Sequence, residues 1–156
     1  MSDKTILDAC CGSRMFWFDR NNPDVVFADN RYVSTTLCDG RTLVIEPDVE
    51  MDFRDMPYPD NTFNLVVFDP PHLIYAGEKS WLAQKYGVLP KEWQPYLKAG
   101  FSECMRVLKP THTLIMKWNT EQISLSQMLK AIGYHPLFVD QRGKTRWLVF
   151  QKMENE

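Results

Sequence analysis

The chain has 156 residues, 44% apolar and 24% charged. That suffices for one domain with a real core, is too short for a second independent one, and excludes a disordered or fibrous chain. The formal charge of −2 gives no global attraction to nucleic acid, so any such binding must come from a local basic patch. The N-terminal apolar run Ile6-Leu7 stops at Asp8, too soon for a signal peptide or membrane span, which leads us to expect a cytoplasmic protein without membrane contact. Cys10, Cys11, Cys38 and Cys104 make no C-x-x-C pair, and no His stands at ligand spacing. They read as small buried hydrophobes, and no metal site is expected.

Thr5 to Ala9 reads as a first buried strand, followed by the small residues Cys10-Cys11-Gly12-Ser13 and a further element from Arg14 to Phe18. A strand and a tight turn of small side chains open a nucleotide-binding α/β unit, in which a ligand approaches backbone N–H groups. D-A-C-C-G-S stands where a dinucleotide fingerprint needs its glycines, so a diphosphate cradle fits poorly. Asp24 to Ala28 gives a second strand closed by Asp29, about 20 residues beyond Asp8, the offset at which a carboxylate reaches ribose hydroxyls. A solvated strand-end Asp would read the same way. Thr35–Cys38 and Thr42–Ile45 flank Asp39-Gly40-Arg41, the pattern of a hairpin at the sheet edge that could also serve as a dimer edge. Val49 to Phe53 is a third strand, and residues 46–60 carry six acids against one Arg, a stretch that repels phosphate and suits a cationic ligand.

Leu65 to Phe68 is an uninterrupted apolar run, as in a strand buried on both faces, and it stops at Asp69-Pro70-Pro71-His72. Two prolines remove two backbone donors and bias the chain toward extended geometry, so the Asp69 carboxylate and Pro70 carbonyl form a rigid, acceptor-only edge. Such an edge suits an amino group. Drawing both N–H donors of a base's exocyclic NH2 toward fixed acceptors frees its lone pair for attack. In residues 73–96, Tyr75, Trp81, Tyr86, Trp93 and Tyr96 alternate with Lys79, Lys85 and Lys91. That mixture fits a lid that stacks on bases, and equally a helical pair with aromatics in its core. Trp93 to Leu108 repeats apolar residues at three and four and reads as a helix ended by Lys109-Pro110. The strand from Thr113 to Met116 ends at Lys117-Trp118-Asn119, on the same edge as Asp69, which makes these three substrate contacts or else a packed Trp beside a solvated Lys. Ser124 to Ile132 is a last helix with a Ser cap and a closing Gly133. Residues 136–139 and 147–152 then form a terminal hairpin.

Three of these stretches resemble class I S-adenosylmethionine (SAM) dependent methyltransferases. D-P-P-H is similar to the [D/N/S]-P-P-[Y/F/W/H] signature of the amino-methyltransferases, D-V-E-M-D-F-R-D-M-P-Y-P-D-N-T-F-N to their D-A-x-x-L-P-F-x-D-x-S-F-D stretch, and R-V-L-K-P to the approach to their fifth strand. In the last, Thr111 and His112 replace two glycines, so the turn there is not the usual one. The resemblance implies a single α/β domain over residues 1–156, a Rossmann-like sandwich whose mostly parallel central sheet finishes in an antiparallel hairpin, with a substrate lid at 73–96. It implies SAM as cofactor and S-adenosylhomocysteine as product, held by Asp8, Cys10, Gly12, Asp29, Asp52 and Phe53, with Asp52 accepting from the adenine amino group. Asp69, Pro70 and Pro71 would hold the acceptor amine, His72 would stack on the base, and Tyr75, Trp81, Lys117, Trp118 and Asn119 would contact substrate. The implied reaction is methylation of a nucleobase amino group, adenine N6 in DNA or RNA, as in small, phage-like nucleic-acid adenine methyltransferases. Methylation of a protein glutamine N5, and a non-catalytic nucleic-acid-binding subunit, are the alternatives. With no evident target-recognition domain, a homodimer or a partner subunit is expected.

Overall fold

The computed structural model describes residues 4–76 and 80–155, the side chains of Trp81 and Leu82 excepted. Its strands are β1 (Ile6–Asp8), β2 (Val25–Asp29), β3 (Val33–Thr36), β4 (Thr42–Ile45), β5 (Val49–Glu50), β6 (Phe63–Phe68), β7 (Leu108–Asn119), β8 (Phe138–Val139) and β9 (Thr145–Gln151). The helices are α1 (Trp81–Tyr86), α2 (Trp93–Val107) and α3 (Leu125–Ile132). One sheet runs β5-β2-β1-β6-β7-β9-β8, parallel from β5 to β7 and antiparallel through β9 and β8, while β3 and β4 pair by themselves. Among the described residues no helix is long and apolar enough to cross a membrane.

Strand periodicity splits the sheet into two unlike faces. Val26, Leu7, Val66, Leu114 and Phe150 stand in one row across five strands. They pack with Leu97, Phe101, Cys104 and Met105 of α2 and Met128 and Ile132 of α3 in the main core. The next row, Phe27, Asp8, Val67, Ile115 and Val149, faces the other way. No described helix connects β1 to β2. The loop after β1 instead puts Trp17 edge-on against Phe27 and Phe16 edge-on against Trp147, both at 5.3 Å between ring centroids.

The element expected at Arg14–Phe18 is therefore neither helix nor strand. Gly12 and Arg14 take positive φ of 51° and 59°, and the Arg14 guanidinium donates to the carbonyls of Arg20 at 2.7 Å and Glu46 at 2.8 Å. The hairpin forms around Gly40 at φ 87° but begins two residues earlier than its sequence suggests, at Val33. The expected strand at Val49–Phe53 contracts to β5. α2 passes directly into β7, inside the sheet between β6 and β9, and Lys109-Pro110-Thr111-His112 makes an irregular bulge with Thr111 at φ 65°. The buried Lys152 ammonium closes the end of α2, donating to the carbonyls of Leu108 at 2.8 Å and Arg106 at 3.4 Å and to Asn61 Oδ1 at 2.9 Å. α3 starts with the expected Ser124 cap, completed by Gln127 into a capping box, and ends at Gly133 in the left-handed region.

One contact ties the α2 layer to the pocket above it. A Cβ on Gly100 would stand 2.6 Å from Phe53 Cδ1 and 3.1 Å from Phe68 Cζ, and Phe53 is hemmed in edge-on by Phe68 and Tyr96, each at 5.2 Å. Gly100→Ala should therefore cost about 1–3 kcal/mol in overpacking against a helix-propensity gain of about 1. A lowered urea midpoint is expected, and a raised one would contradict this packing.

Candidate active site at the carboxyl ends of β1 and β6

The chain winds from β1 toward β2 on one side and returns to β6 on the other, so the carboxyl ends of β1 and β6 open onto a crevice. Open α/β sheets bind ligands at such a reversal. The pocket found there is walled by Cys10, Gly12 and Ser13 of the loop after β1, by Asp29, by Met51 and Phe53 beyond β5, by Tyr96 of α2 and by Asp69, Pro70 and Pro71 beyond β6. Tyr86, Gly87 and Val88 enclose it from above. This strap is fastened by Arg31, which donates to the carbonyls of Gln84 at 2.7 Å and Lys85 at 3.3 Å while lying 3.7 Å from Asp29. Gly87, at φ 77°, lets the chain pass close over Pro71.

Three strand-end carboxylates share this edge. Asp8 has no solvent exposure. Its Oδ2 accepts from the Trp17 indole at 2.7 Å and its Oδ1 from the Cys10 amide at 3.3 Å. Burial raises its pKa to about 7, against the lowering effect of the Trp17 bond and with a further rise from Asp69. Asp29 accepts from the amides of Gly12 at 2.9 Å and Arg31 at 3.1 Å. Asp69 is raised to about 6, first by burial; the Lys117 ammonium, 4.0 Å away, opposes the rise and Asp29 adds to it. A site with buried, partly protonated carboxyls favours a cationic ligand, which relieves their mutual repulsion.

The structure thus gathers Cys10, Gly12, Asp29, Phe53, Asp69, Pro70 and Pro71 around one pocket, whereas Asp8 is fully buried, outside its lining, and holds the loop that forms the wall. It does not bring in Asp52. That carboxylate is gripped by the Arg54 guanidinium at 2.7 and 3.1 Å, with 44% of its side chain exposed, outside the pocket wall. His72 stands behind the wall, its ring 5.6 Å from Tyr86 and 6.3 Å from Trp118. Burial, and then the Lys117 charge, lower its pKa to about 4 and keep the imidazole neutral near pH 7. Trp118 is a core residue at 1% exposure that donates to the Ile123 carbonyl at 3.1 Å. Asn119 caps a turn by accepting from the Glu121 amide at 2.9 Å. Tyr75 is 78% exposed, its backbone clamped by Gln122. Lys117 does lie at the site, near Asp69 and beside Phe16 and Trp147. The Trp81 side chain, with Gly77, Glu78 and Lys79 of the lid segment, lies outside the described residues. Sequence reasoning missed Arg31, Met51 and Tyr96 as site residues. Only the aromatic character of Tyr96 signalled it. Among the described residues, no three His, Cys, Asp or Glu form a group able to hold a metal ion.

No family model and no curated protein matches the chain in sequence. Solved structures do match it in shape. The PH0226 protein of Pyrococcus horikoshii superposes with a TM-score of 0.61 at 16% identity, over 95% of this chain and 81% of its own. A TehB-like SAM-dependent methyltransferase of Corynebacterium glutamicum gives 0.55 at 14%, over 97% and 82%. A chain from the complex between the Haloferax volcanii Trm112 methyltransferase activator and a methyltransferase gives 0.50 at 14%, over 97% and 84%. With the strand order above, these likenesses define the fold as the Rossmann-like class I methyltransferase sandwich, mostly parallel with a C-terminal antiparallel hairpin.

The Asp8 arrangement makes a prediction about stability. Because its folded pKa of about 7 exceeds the ordinary 3.8, Asp8 favours the folded state most below the ordinary value, and that contribution is lost as pH rises through 7. Trp17→Phe removes a donor to the ionised form, so its deficit should widen from pH 5 to pH 8, reaching about 1.5–3 kcal/mol. Urea melts across that range test this, and a deficit independent of pH would separate the indole bond from Asp8 titration.

Proposed function

We propose that the protein is a SAM-dependent methyltransferase acting on the exocyclic amino group of a nucleobase, adenine N6 in the first instance. The observation that carries this reading is the position of Asp69-Pro70. An acceptor-only edge forms the wall of a pocket at the reversal point of a class I methyltransferase sheet.

The residues present suit the cofactor. Phe53 and Tyr96 offer aromatic walls for a purine, Asp29 keeps lone pairs for ribose hydroxyls, and the small residues Cys10 to Ser13 expose backbone where an amino-acid moiety can approach. Asp52 joins them only by leaving Arg54. SAM, when bound, supplies a methyl group already activated on a sulfonium cation. The chain's own contribution is positioning and polarisation. Asp69 and the Pro70 carbonyl accept the two amino N–H groups, and Lys117 keeps the Asp69 carboxylate ionised. Tyr86 presents its ring to the substrate side, and neutral His72 supports that ring from behind. A base within a duplex would have to be turned out of the stack to reach this edge. The same edge would accept a glutamine amide, but Lys85 at the pocket's border and the arginines of the adjoining groove favour nucleic acid. Activity within a complex, like the Haloferax neighbour bound to its activator, or as a homodimer would add to target recognition.

Asp69→Ala should bind SAM with calorimetric affinity within about twofold of the parent and lose labelled-methyl transfer by about 10²–10³-fold, the scale of one lost polar contact to a reacting group. In the parent, transfer should fall as pH drops below about 6, because a protonated Asp69 presents a donor to the amine. Asp69→Asn should retain partial activity without that acid limb. Full transfer by the Ala variant, or an acid limb that persists in the Asn variant, would remove Asp69 from this role.

A further inference from the structure

Beside the pocket, and continuous with it through Gly12, Ser13, Met15 and Lys85, lies a second and larger groove of about 520 Å³, against about 220 Å³ for the pocket itself. Its floor is the β3–β4 hairpin and its wall the loop after β1. Arg14, Arg20, Arg41 and Lys85 line it, and Glu46 is the only acid among its lining residues. Arg14 lies 3.5 Å from Asp48 with its side chain largely covered, so the cations that the groove presents outward are Arg20, Arg41 and Lys85. Arg14 builds the groove, since its guanidinium joins the loop to the base of β4 through the Arg20 and Glu46 carbonyls. Arg20 is exposed, and Arg41, though paired with Asp39, keeps 58% of its side chain exposed. Lys85 sits where groove and pocket meet, held below its usual pKa first by burial and then by the Arg41 charge, with Lys117 adding to the effect. Lys117 in turn lies 4.0 Å from Asp69. Lys85, common to groove and pocket, thus links the basic residues of the groove to the amine-holding edge.

We infer that this groove holds the phosphodiester backbone of a nucleic-acid strand next to the target nucleotide, so that the substrate is a polynucleotide rather than a free nucleoside. Asp39 and Asp48 balance part of the groove's positive charge within the chain, and a polyanion would supply counter-charge for the rest. Several cations lining one groove suit the repeated charge of a backbone, where a single cation would serve a mononucleotide. The groove lies on a hairpin that pairs apart from the main sheet, so it can carry a substrate subsite without disturbing that sheet. This inference rests on the nucleobase reading above for the choice of target, but its binding test does not depend on methyl transfer.

Fluorescence anisotropy with one labelled 12-nucleotide sequence, as single-stranded RNA, single-stranded DNA and duplex DNA, reads the groove directly. For three to four backbone contacts, log affinity should fall with log salt at a slope of about −2 to −3 on single strands. Arg20→Glu with Arg41→Glu should weaken strand binding tenfold or more and reduce the slope by about 1 to 1.5, with calorimetric SAM affinity unchanged. Arg20→Ala alone, at an exposed position, should weaken it severalfold and guards against misfolding of the hairpin. Strand affinity and slope unaltered in a folded variant, or polyglutamate bound as tightly as the oligonucleotides, would overturn the inference. Strand binding that behaves as expected without any methyl transfer would uphold the groove and refute the proposed reaction instead.

Discussion

A carboxylate with no exposure must either find hydrogen-bond donors or give up its charge, and Asp8 at the end of β1 stands between the two. Its two donors come from the loop that follows it, the Cys10 amide and the Trp17 indole. They fold that loop back under the sheet, where a crossover helix would ordinarily pack. With Trp17 fixed on Phe27 and Phe16 on Trp147, the intervening residues Cys10 to Ser13 are presented to the crevice above. The wall of the pocket therefore depends on one buried acid, and so does the burial of the helix-free face.

The same acid sets the electrostatics of the site. Asp69 pushes the Asp8 pKa up, and Asp29 adds to the rise of both. Three carboxyls at adjacent strand ends are costly while the site is empty of cations and favourable once a positive ligand arrives. Lys117, approaching Asp69 from β7, supplies a fixed part of that compensation. It is weaker than a close ion pair, so Asp69 keeps a pKa near 6 and its acceptor character is poised close to neutrality. Farther out, Lys85, shared by pocket and groove, joins Arg14, Arg20 and Arg41 of the groove lining.

Much of the frame was legible because buried parallel strands are written as plain apolar runs. Leu65–Phe68 and Val25–Ala28 announce themselves, and the turn chemistry of Ser124, Gly133 and Gly40 marks where elements end. Asp69-Pro70 was legible for a local reason too, since proline fixes its own geometry. What escaped the sequence depends on partners far along the chain. The loop after β1 reads as a further element because the bonds from Arg14 to Glu46 and from Trp17 to Asp8 are invisible in its composition. Asp52 stands at the expected spacing, but Arg54, two residues on, captures it. The D-P-P-H resemblance implies that His72 stacks on the base, yet Tyr86, on the segment held by Arg31, lines the pocket and His72 does not. Gly100 reads as a flaw in a helix until Phe53 is seen above it.

The account stands on one claim, that the amino group of a base is held at Asp69-Pro70 and methylated there. Incubating the purified protein with trideuteromethyl-labelled SAM, RNA, DNA and a protein extract, then digesting each polymer for mass spectrometry, tests it most directly. The account predicts a deuterated N-methyl nucleoside, N6-methyladenosine or its deoxy form, from a nucleic-acid fraction. Label found only in protein, or in a nucleoside methylated on carbon or oxygen, would contradict it.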